Sequence, residues 1–279
     1  MTASITRTEP INVAVQGEGR PVLVLHGLGG DSMQSLALLP VGSPVTLIAP
    51  ELPGHGDTDL LPEEPANFDA FARLCASVLD GMRVDGRIST QPLLVVGVSL
   101  GAGVALALVA ARPDLVAGLV LIRPAYLDTA PPPNLAPFPI VAGLLRELGP
   151  EAGAAAFRDT AIYRSIEREA PAMAQSLLGQ FSRSHARERS RVLEDMTLSL
   201  PLPDRRAYTL LTVPTLVVGA PEDPVHPYAL AQTLSDWIPG SRFARVPRKL
   251  LDPSEHNHAV ARVVSKELVR LGRILSDTG

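Results

Sequence analysis

The pentapeptide Gly97-Val98-Ser99-Leu100-Gly101 constrains this chain more than any other stretch. Pro92-Leu93-Leu94-Val95-Val96 precedes it, short, apolar and β-branched, as a strand buried on both faces should be. Gly103 to Ala111 follows, rich in small helix-compatible residues and stopping before Pro113. A strand that feeds a helix through so short a link must turn sharply. The two elements nearly touch there, and Gly97 and Gly101 supply neighbours without side chains. The serine at the apex is strained, and its hydroxyl stands clear of the sheet, where an imidazole can reach it. A serine in a glycine-rich helix start can also serve a phosphate site. The rest of the chain decides between the two.

Strand-like runs recur on both sides. Ile11 to Val15, Pro21 to Leu25, Val45 to Ala49 and Leu115 to Ile122 read as strands, as do Pro214 to Gly219 and Arg242 to Val246. Helices alternate with them. Asn67 caps one that carries Phe68, Phe71, Leu74, Cys75, Val78 and Leu79 at helical spacing. From about Tyr126 to Tyr208 there is no strand signal, only helical stretches broken by prolines. Strand-helix alternation around an all-helical insertion means an α/β fold: a mostly parallel, doubly wound sheet carrying a lid. Residues 1–125 and 209–279 form the core and 126–208 the inserted helical lid.

Composition narrows the possible functions. The 279 residues are 46% hydrophobic and 19% charged, enough for a sizeable core and too apolar for a disordered chain. A formal charge of −4 gives no reason to expect nucleic acid or an anionic membrane as partner. The single cysteine, Cys75, excludes an internal disulfide and a cysteine-based zinc site. The first residues lack an apolar secretory core and no run is long enough to span a bilayer. The expectation is a cytoplasmic protein acting on a small-molecule substrate, with the oligomeric state open.

A serine hydroxyl is a poor nucleophile until a base takes its proton and a third group fixes that base. Six histidines are available. His26 and His55 lie in loops before the serine, His185 in the lid and His226 after a strand. Two remain, His256 and His258, at the start of the last helix. Asp252, Pro253 and Glu255 open that helix with a cap, a proline at the first position and a capping box. His256 then falls in phase with the buried Val260, Val263, Val264 and Leu268, while His258 falls nearly opposite. His256 is therefore the expected base, with His258 as its rival. The acid is expected at a strand end, and Asp223 in Glu222-Asp223-Pro224-Val225-His226-Pro227 fits, ahead of Glu222 and Asp252. Backbone N–H groups suit an oxyanion because they are fixed before the charge develops. Leu100 opens a helix, and Leu28 sits in the glycine-rich loop His26-Gly27-Leu28-Gly29-Gly30 after the first buried strand.

On four signatures the chain resembles the α/β-hydrolase superfamily over nearly its whole length. They are H-G-L-G-G at 26–30, L-P-G-H-G at 52–56, G-V-S-L-G at 97–101 and E-D-P-V-H-P at 222–227. The order Ser99, Asp223, His256 is that family's order, and the helical insertion lies where its lids lie. The resemblance implies a serine hydrolase that cleaves an ester or related acyl bond through an acyl-enzyme, with no metal or organic cofactor. Thioester and carbon–carbon hydrolysis use the same parts, and lyase or cyclase chemistry shares the fold. One departure stands out: Glu255 occupies the place where many members carry glycine before the histidine. In the lid, Arg183, Arg187 and Arg191 recur at helical spacing and read as a solvated face, above apolar residues such as Leu145, Phe157 and Phe181. Arg123, after a strand that ends near the site, is the one cation placed to meet a substrate carboxylate, with a surface or lid salt bridge as the equal alternative.

Overall fold

A computed structural model of the chain describes residues 4–8, 11–40 and 42–277. Its framework is an eight-stranded sheet. In chain order the strands are β1 (Ser4–Thr8), β2 (Ile11–Gln16), β3 (Arg20–Leu25), β4 (Val45–Pro50), β5 (Leu93–Val98), β6 (Val116–Ile122), β7 (Thr215–Gly219) and β8 (Arg242–Arg245). Across the sheet the order is β1-β2-β4-β3-β5-β6-β7-β8. The pairs β1–β2 and β2–β4 are antiparallel, and the other five pairs are parallel. Strands β3 through β7 are buried almost throughout, which is why they read as unbroken apolar runs.

The helices are α1 (Ser32–Leu36), α2 (Phe68–Val84), α3 (Leu100–Ala111), α4 (Pro137–Arg158), α5 (Ala161–Glu169), α6 (Pro171–Leu178), α7 (Arg191–Asp195), α8 (Arg205–Thr209), α9 (Tyr228–Trp237) and α10 (Ser254–Asp277). Those from α4 to α8 all lie between β6 and β7, and α4 kinks at Gly149-Pro150. Two apolar layers sandwich the sheet. One joins Leu23, Leu25, Val95, Leu119 and Leu121 to α2, α3, α9 and the inserted helices. The other joins Val24, Val96, Val98, Val120 and Ile122 to α1 and α10. Alternate residues of each strand feed opposite layers, as the period of two requires.

The chain leaves β3 toward one edge of the sheet and returns to β5 on its other side. A crevice opens at such a reversal, outside the carboxyl ends of the strands. Leu25 stands opposite Gly97 in the parallel register, so the loops after β3 and β5 leave the sheet side by side. Ser99 and the glycine-rich loop at 26–30 therefore meet at this point.

Among the described residues, no helix is long and apolar enough to cross a membrane.

Candidate active site

Ser99 occupies the turn that the pentapeptide demands. Its φ is +52° and ψ −109°, a conformation that L side chains rarely adopt. The turn is held by Ser99 N–H donating to Ile122 O at 2.9 Å, and by Ala102 and Gly103 N–H donating to Ser99 O. A Cβ on Gly97 would stand 2.2 Å from Gly101 O, and one on Gly101 would stand 2.3 Å from Leu25 O. Strand and helix are in backbone contact here, and only glycine fits at either place.

The histidine that reaches Ser99 is His226. Its Nε2 lies 2.9 Å from Ser99 Oγ, and its Nδ1 lies 2.9 Å from Asp223 Oδ2. With the carboxylate accepting at Nδ1, that nitrogen carries the proton and Nε2 presents its lone pair to the serine hydroxyl. Ser99, Asp223 and His226 are all buried. Asp223 organises its own loop: Oδ1 accepts from the N–H groups of Val225 and His226 at 3.1 and 3.0 Å. Oδ2 also accepts from Arg123 Nη1 at 3.3 Å. Asn134, just ahead of α4, donates to Ala125 O and Val225 O at 3.1 and 2.7 Å and so ties the loop after β7 to the end of β6.

These contacts set the protonation states. Burial pushes the Asp223 carboxyl up, but the imidazole, the Arg123 guanidinium and the His226 N–H outweigh it and hold the acid well below the usual carboxylate range. For His226, burial works against the charged form and Asp223 works for it. The nearby Arg123 and Lys249 side with burial, so the pKa falls below its ordinary value. The imidazole is neutral at neutral pH, as a proton acceptor must be.

His256 is not brought to the serine. It lies on the buried face of α10, in phase with Val260 and Val264, while His258 is exposed, so the helix periodicity holds. But α10 packs on the α1 side of the sheet, beneath the turn that carries Ser99. There His256 Nδ1–H donates to Pro247 O at 2.7 Å. The histidine at Ser99 comes instead from the acid's own loop. The signal was the spacing in E-D-P-V-H-P, where an aspartate folded back on its own loop brings the residue three places on within its reach. Glu222 turns away to pair with Arg248, and Asp252 accepts from Ser254 at the start of α10.

The loop of Leu28 and the first residue of α3, Leu100, both lie next to Ser99. The loop of Leu28 passes so close that a Cβ on Gly27 would lie 3.5 Å from Ser99 Cβ. Gly27 N–H donates to Gln34 Oε1 at 2.7 Å and Gly30 N–H to Gly27 O, which fixes the loop. Leu100 is the first residue of α3. Among the described residues, the N–H groups of Leu28 and Leu100 donate to no acceptor of the chain. His26 and His55 pack ring to ring at 4.7 Å, and His26 Nε2 accepts from Leu52 N–H, so both are internal ties of the loops beside the site.

Arg123, the candidate for a substrate carboxylate, forms an ion pair with Asp223. It has φ +45°, and its N–H donates to Val218 O, so the backbone at the end of β6 aims the side chain across to β7. The three arginines expected on one solvated helix face do not share a helix, because α7 begins only at Arg191. Arg183 is largely buried, and burial beside Arg189 brings its pKa down to about 10. Arg187 donates to Arg146 O. Arg189 bonds Gly56 O and Asp59, and Arg191 donates to the carbonyls of Leu61, Pro62 and Glu64. These side chains strap the inserted helices to the loop after β4. Of the apolar lid residues, Leu145, Phe157, Met173, Leu177 and Phe181 are buried in one layer with Leu28, and Leu148 is half exposed.

Among the described residues, no group of three or more His, Cys, Asp or Glu side chains is placed to hold a metal ion.

Residues 22–263 match the model of the alpha/beta hydrolase family. A 2-hydroxymuconate semialdehyde hydrolase from Pseudomonas sp. (strain CF600) is 26% identical over 241 residues, 81% of this chain and 78% of that protein. The monoglyceride lipase of Homo sapiens is 30% identical over 129 residues, 46% of this chain and 41% of its own length. Among solved structures, an esterase from Thermogutta terrifontis superposes with a TM-score of 0.71 at 24% identity, covering 97% of this chain and 99% of the esterase. A likeness at that identity speaks for the fold. Together with the family match it leaves one conclusion: the chain belongs to the alpha/beta hydrolase family and is a hydrolase.

Proposed function

We propose that the protein hydrolyses an ester or closely related acyl bond of a small, partly apolar molecule through a covalent intermediate on Ser99. The observation that carries this reading is the hydrogen-bonded line from Ser99 Oγ through His226 to Asp223, with both links at 2.9 Å. Ser99 Oγ attacks the acyl carbon while His226 Nε2 takes its proton, and the C=O electron pair moves onto oxygen. The N–H groups of Leu28 and Leu100, which have no acceptor of their own, donate to that oxyanion. Asp223 holds the imidazole in its tautomer and stabilises the imidazolium. The tetrahedral intermediate collapses, the alkoxide leaves with the proton from His226, and the acyl group stays on Ser99. Water then repeats the sequence, giving its proton to His226 and releasing the carboxylic acid and the free serine.

The inserted helices of 126–208 form the lid of this site, and their buried apolar side chains favour substrates with apolar acyl groups. Each methylene they bury should add about 0.8 kcal/mol, or roughly fourfold in specificity, until the pocket fills. A second reading, cleavage of a carbon–carbon bond beside a ketone, draws on the likeness to the semialdehyde hydrolase, which spans most of both chains. One panel separates the readings: p-nitrophenyl esters of graded chain length, an acyl thioester and a β-diketone-type substrate. The primary reading expects kcat/KM to rise with acyl length and then fall, and to be highest on the esters. No turnover of any ester, with turnover of the diketone, would replace it with the second.

A further inference from the structure

A second concavity, of about 240 Å³, lies on the α1 and α10 side of the sheet, away from the inserted helices. Its lining includes Val98, Gln34, Arg123, Lys249, His256 and Asn257. Val98 is the residue before Ser99, so the concavity sits directly behind the reacting serine. Its charges do not balance. Arg123 is nearly buried, and its guanidinium meets one carboxylate, Asp223, which it shares with His226. Lys249 is half-buried, and its ammonium has no hydrogen bond or ion pair among the described residues. His256 spends Nδ1–H on Pro247 O and leaves Nε2 for the concavity. The nearby acids are engaged elsewhere: Glu222 with Arg248, and Asp252 with Ser254. Two cations and an imidazole thus face one half-enclosed space against a single carboxylate.

Like charges held together out of water are costly unless a counter-charge joins them. The groups respond as this predicts. Burial and the nearby Arg123 lower the pKa of Lys249. Burial lowers that of His256 too, and Arg123 and Lys249 reinforce it. The donors differ in kind: a planar guanidinium fork and a compact ammonium. Such a set suits an oxyanion with several acceptor oxygens. The space is smaller than a typical drug-sized pocket, which limits the occupant to a small molecule.

From this arrangement we infer that the concavity behind Ser99 binds a small polyvalent oxyanion, a phosphate or a short dicarboxylate, between Arg123 and Lys249. Arg123 touches both this site and Asp223. An anion held there draws on the guanidinium charge that now falls on the acid, and so couples the occupant to the hydrogen-bonded line at Ser99.

The test is binding itself, which does not depend on what the enzyme hydrolyses. Thermal unfolding of the wild-type chain is followed against inorganic phosphate and, separately, malonate, at constant ionic strength. A saturable rise in Tm with either probe is the expected result, and the better of the two tells whether a tetrahedral oxyanion or a dicarboxylate fits. Lys249→Gln should weaken that probe about tenfold or more, as loss of a charge-assisted hydrogen bond does. Lys266→Gln, farther along α10, should bind as wild type. Should Lys249→Gln fail to fold, Asn257→Asp, which brings a negative charge to the lining, should weaken binding in the same way. No saturable shift with either probe, or an equal shift in wild type and the folded variant, would overturn the inference.

Discussion

Asp223 and His226 lie three residues apart on one loop, and their side chains meet at 2.9 Å while the same carboxylate accepts the backbone N–H of His226. Acid and imidazole are therefore one local unit, set by the turn after β7. Only one distance, from His226 Nε2 to Ser99 Oγ, has to be held between separate elements of the sheet. The strands that hold it, β5 and β7, are both bonded to β6 in parallel register.

The first expectation concerns the nucleophile. A fluorophosphonate should add one label per active chain, and Ser99→Ala should abolish it. Intact-mass spectrometry reads the result, and a label retained on the variant would remove Ser99 from the role.

The second sets His226 against His256. His226→Ala should lower kcat/KM by roughly 10³- to 10⁶-fold, in the range of triad deletions in other serine hydrolases. His256→Ala, whose partner is the Pro247 carbonyl, should stay within about tenfold of wild type. The reverse ranking in ester kinetics would return the base to α10.

Arg123 should show itself in the pH profile. His226 must be neutral to act, and its pKa lies below the ordinary value. The acid limb of kcat/KM should therefore fall below the position of an unperturbed histidine, near pH 6.5. Arg123 disfavours the imidazolium. Arg123→Gln removes that cation, raises the His226 pKa and moves the acid limb to higher pH. The other groups facing His226 are Asp223, Lys249 and the Ser99 hydroxyl, and the substitution leaves them in place. An unchanged limb with a raised KM would instead put Arg123 on the substrate.

Stability should depend on pH through buried histidines. His26, His55, His226 and His256 all have lowered pKa values, burial being the largest cause in each. In the unfolded chain they take up protons near pH 6.5, and in the folded protein only at lower pH. Below about pH 6.5 the unfolded state binds more protons, so stability falls as pH falls. The loss is up to about 1.4 kcal/mol per pH unit for each histidine, until the folded pKa is reached. Urea unfolding at pH 7.5, 6.5 and 5.5 measures it. His55→Gln should give a shallower dependence over that range.

At the turn itself, Gly97→Ala and Gly101→Ala should each destabilise the fold by about 3 kcal/mol or more. The added Cβ meets backbone oxygens that cannot move aside, at 2.2 and 2.3 Å. Urea midpoints compared with Gly143→Ala, where a Cβ meets nothing within 4 Å, would isolate the steric cost.

Much of this was legible in the chain. The runs that become β3 to β7, the turn at Ser99 and the face of α10 that carries His256 all follow from short-range pattern, because burial on a strand or helix imposes a local period. What the period does not say is which side of the sheet a helix covers. The helix phase correctly marked His256 as inward, yet inward on α10 means toward the layer beneath the turn. His226 had no period to announce it, since a loop residue is aimed by the turn chemistry of Asp223. The lid arginines failed for a related reason. Spacing suggests a common face only where the chain is helical, and between Arg183 and Ser190 it turns irregularly. β1 at Ser4–Thr8, an edge strand without an apolar run, gave no signal.

The arginine straps also decide how a molecule can come and go. Arg189 and Arg191 fasten the second half of the insertion to the segment from Gly56 to Glu64 through an ion pair and several charge-assisted bonds. Parting that seam would break them all together, at about 0.5–1 kcal/mol for each of these partly exposed contacts. The insertion is thus a door with its hinge stile already bolted. If the insertion opens, the parting is expected away from that seam, and α4, the longest inserted helix, already bends at Gly149-Pro150.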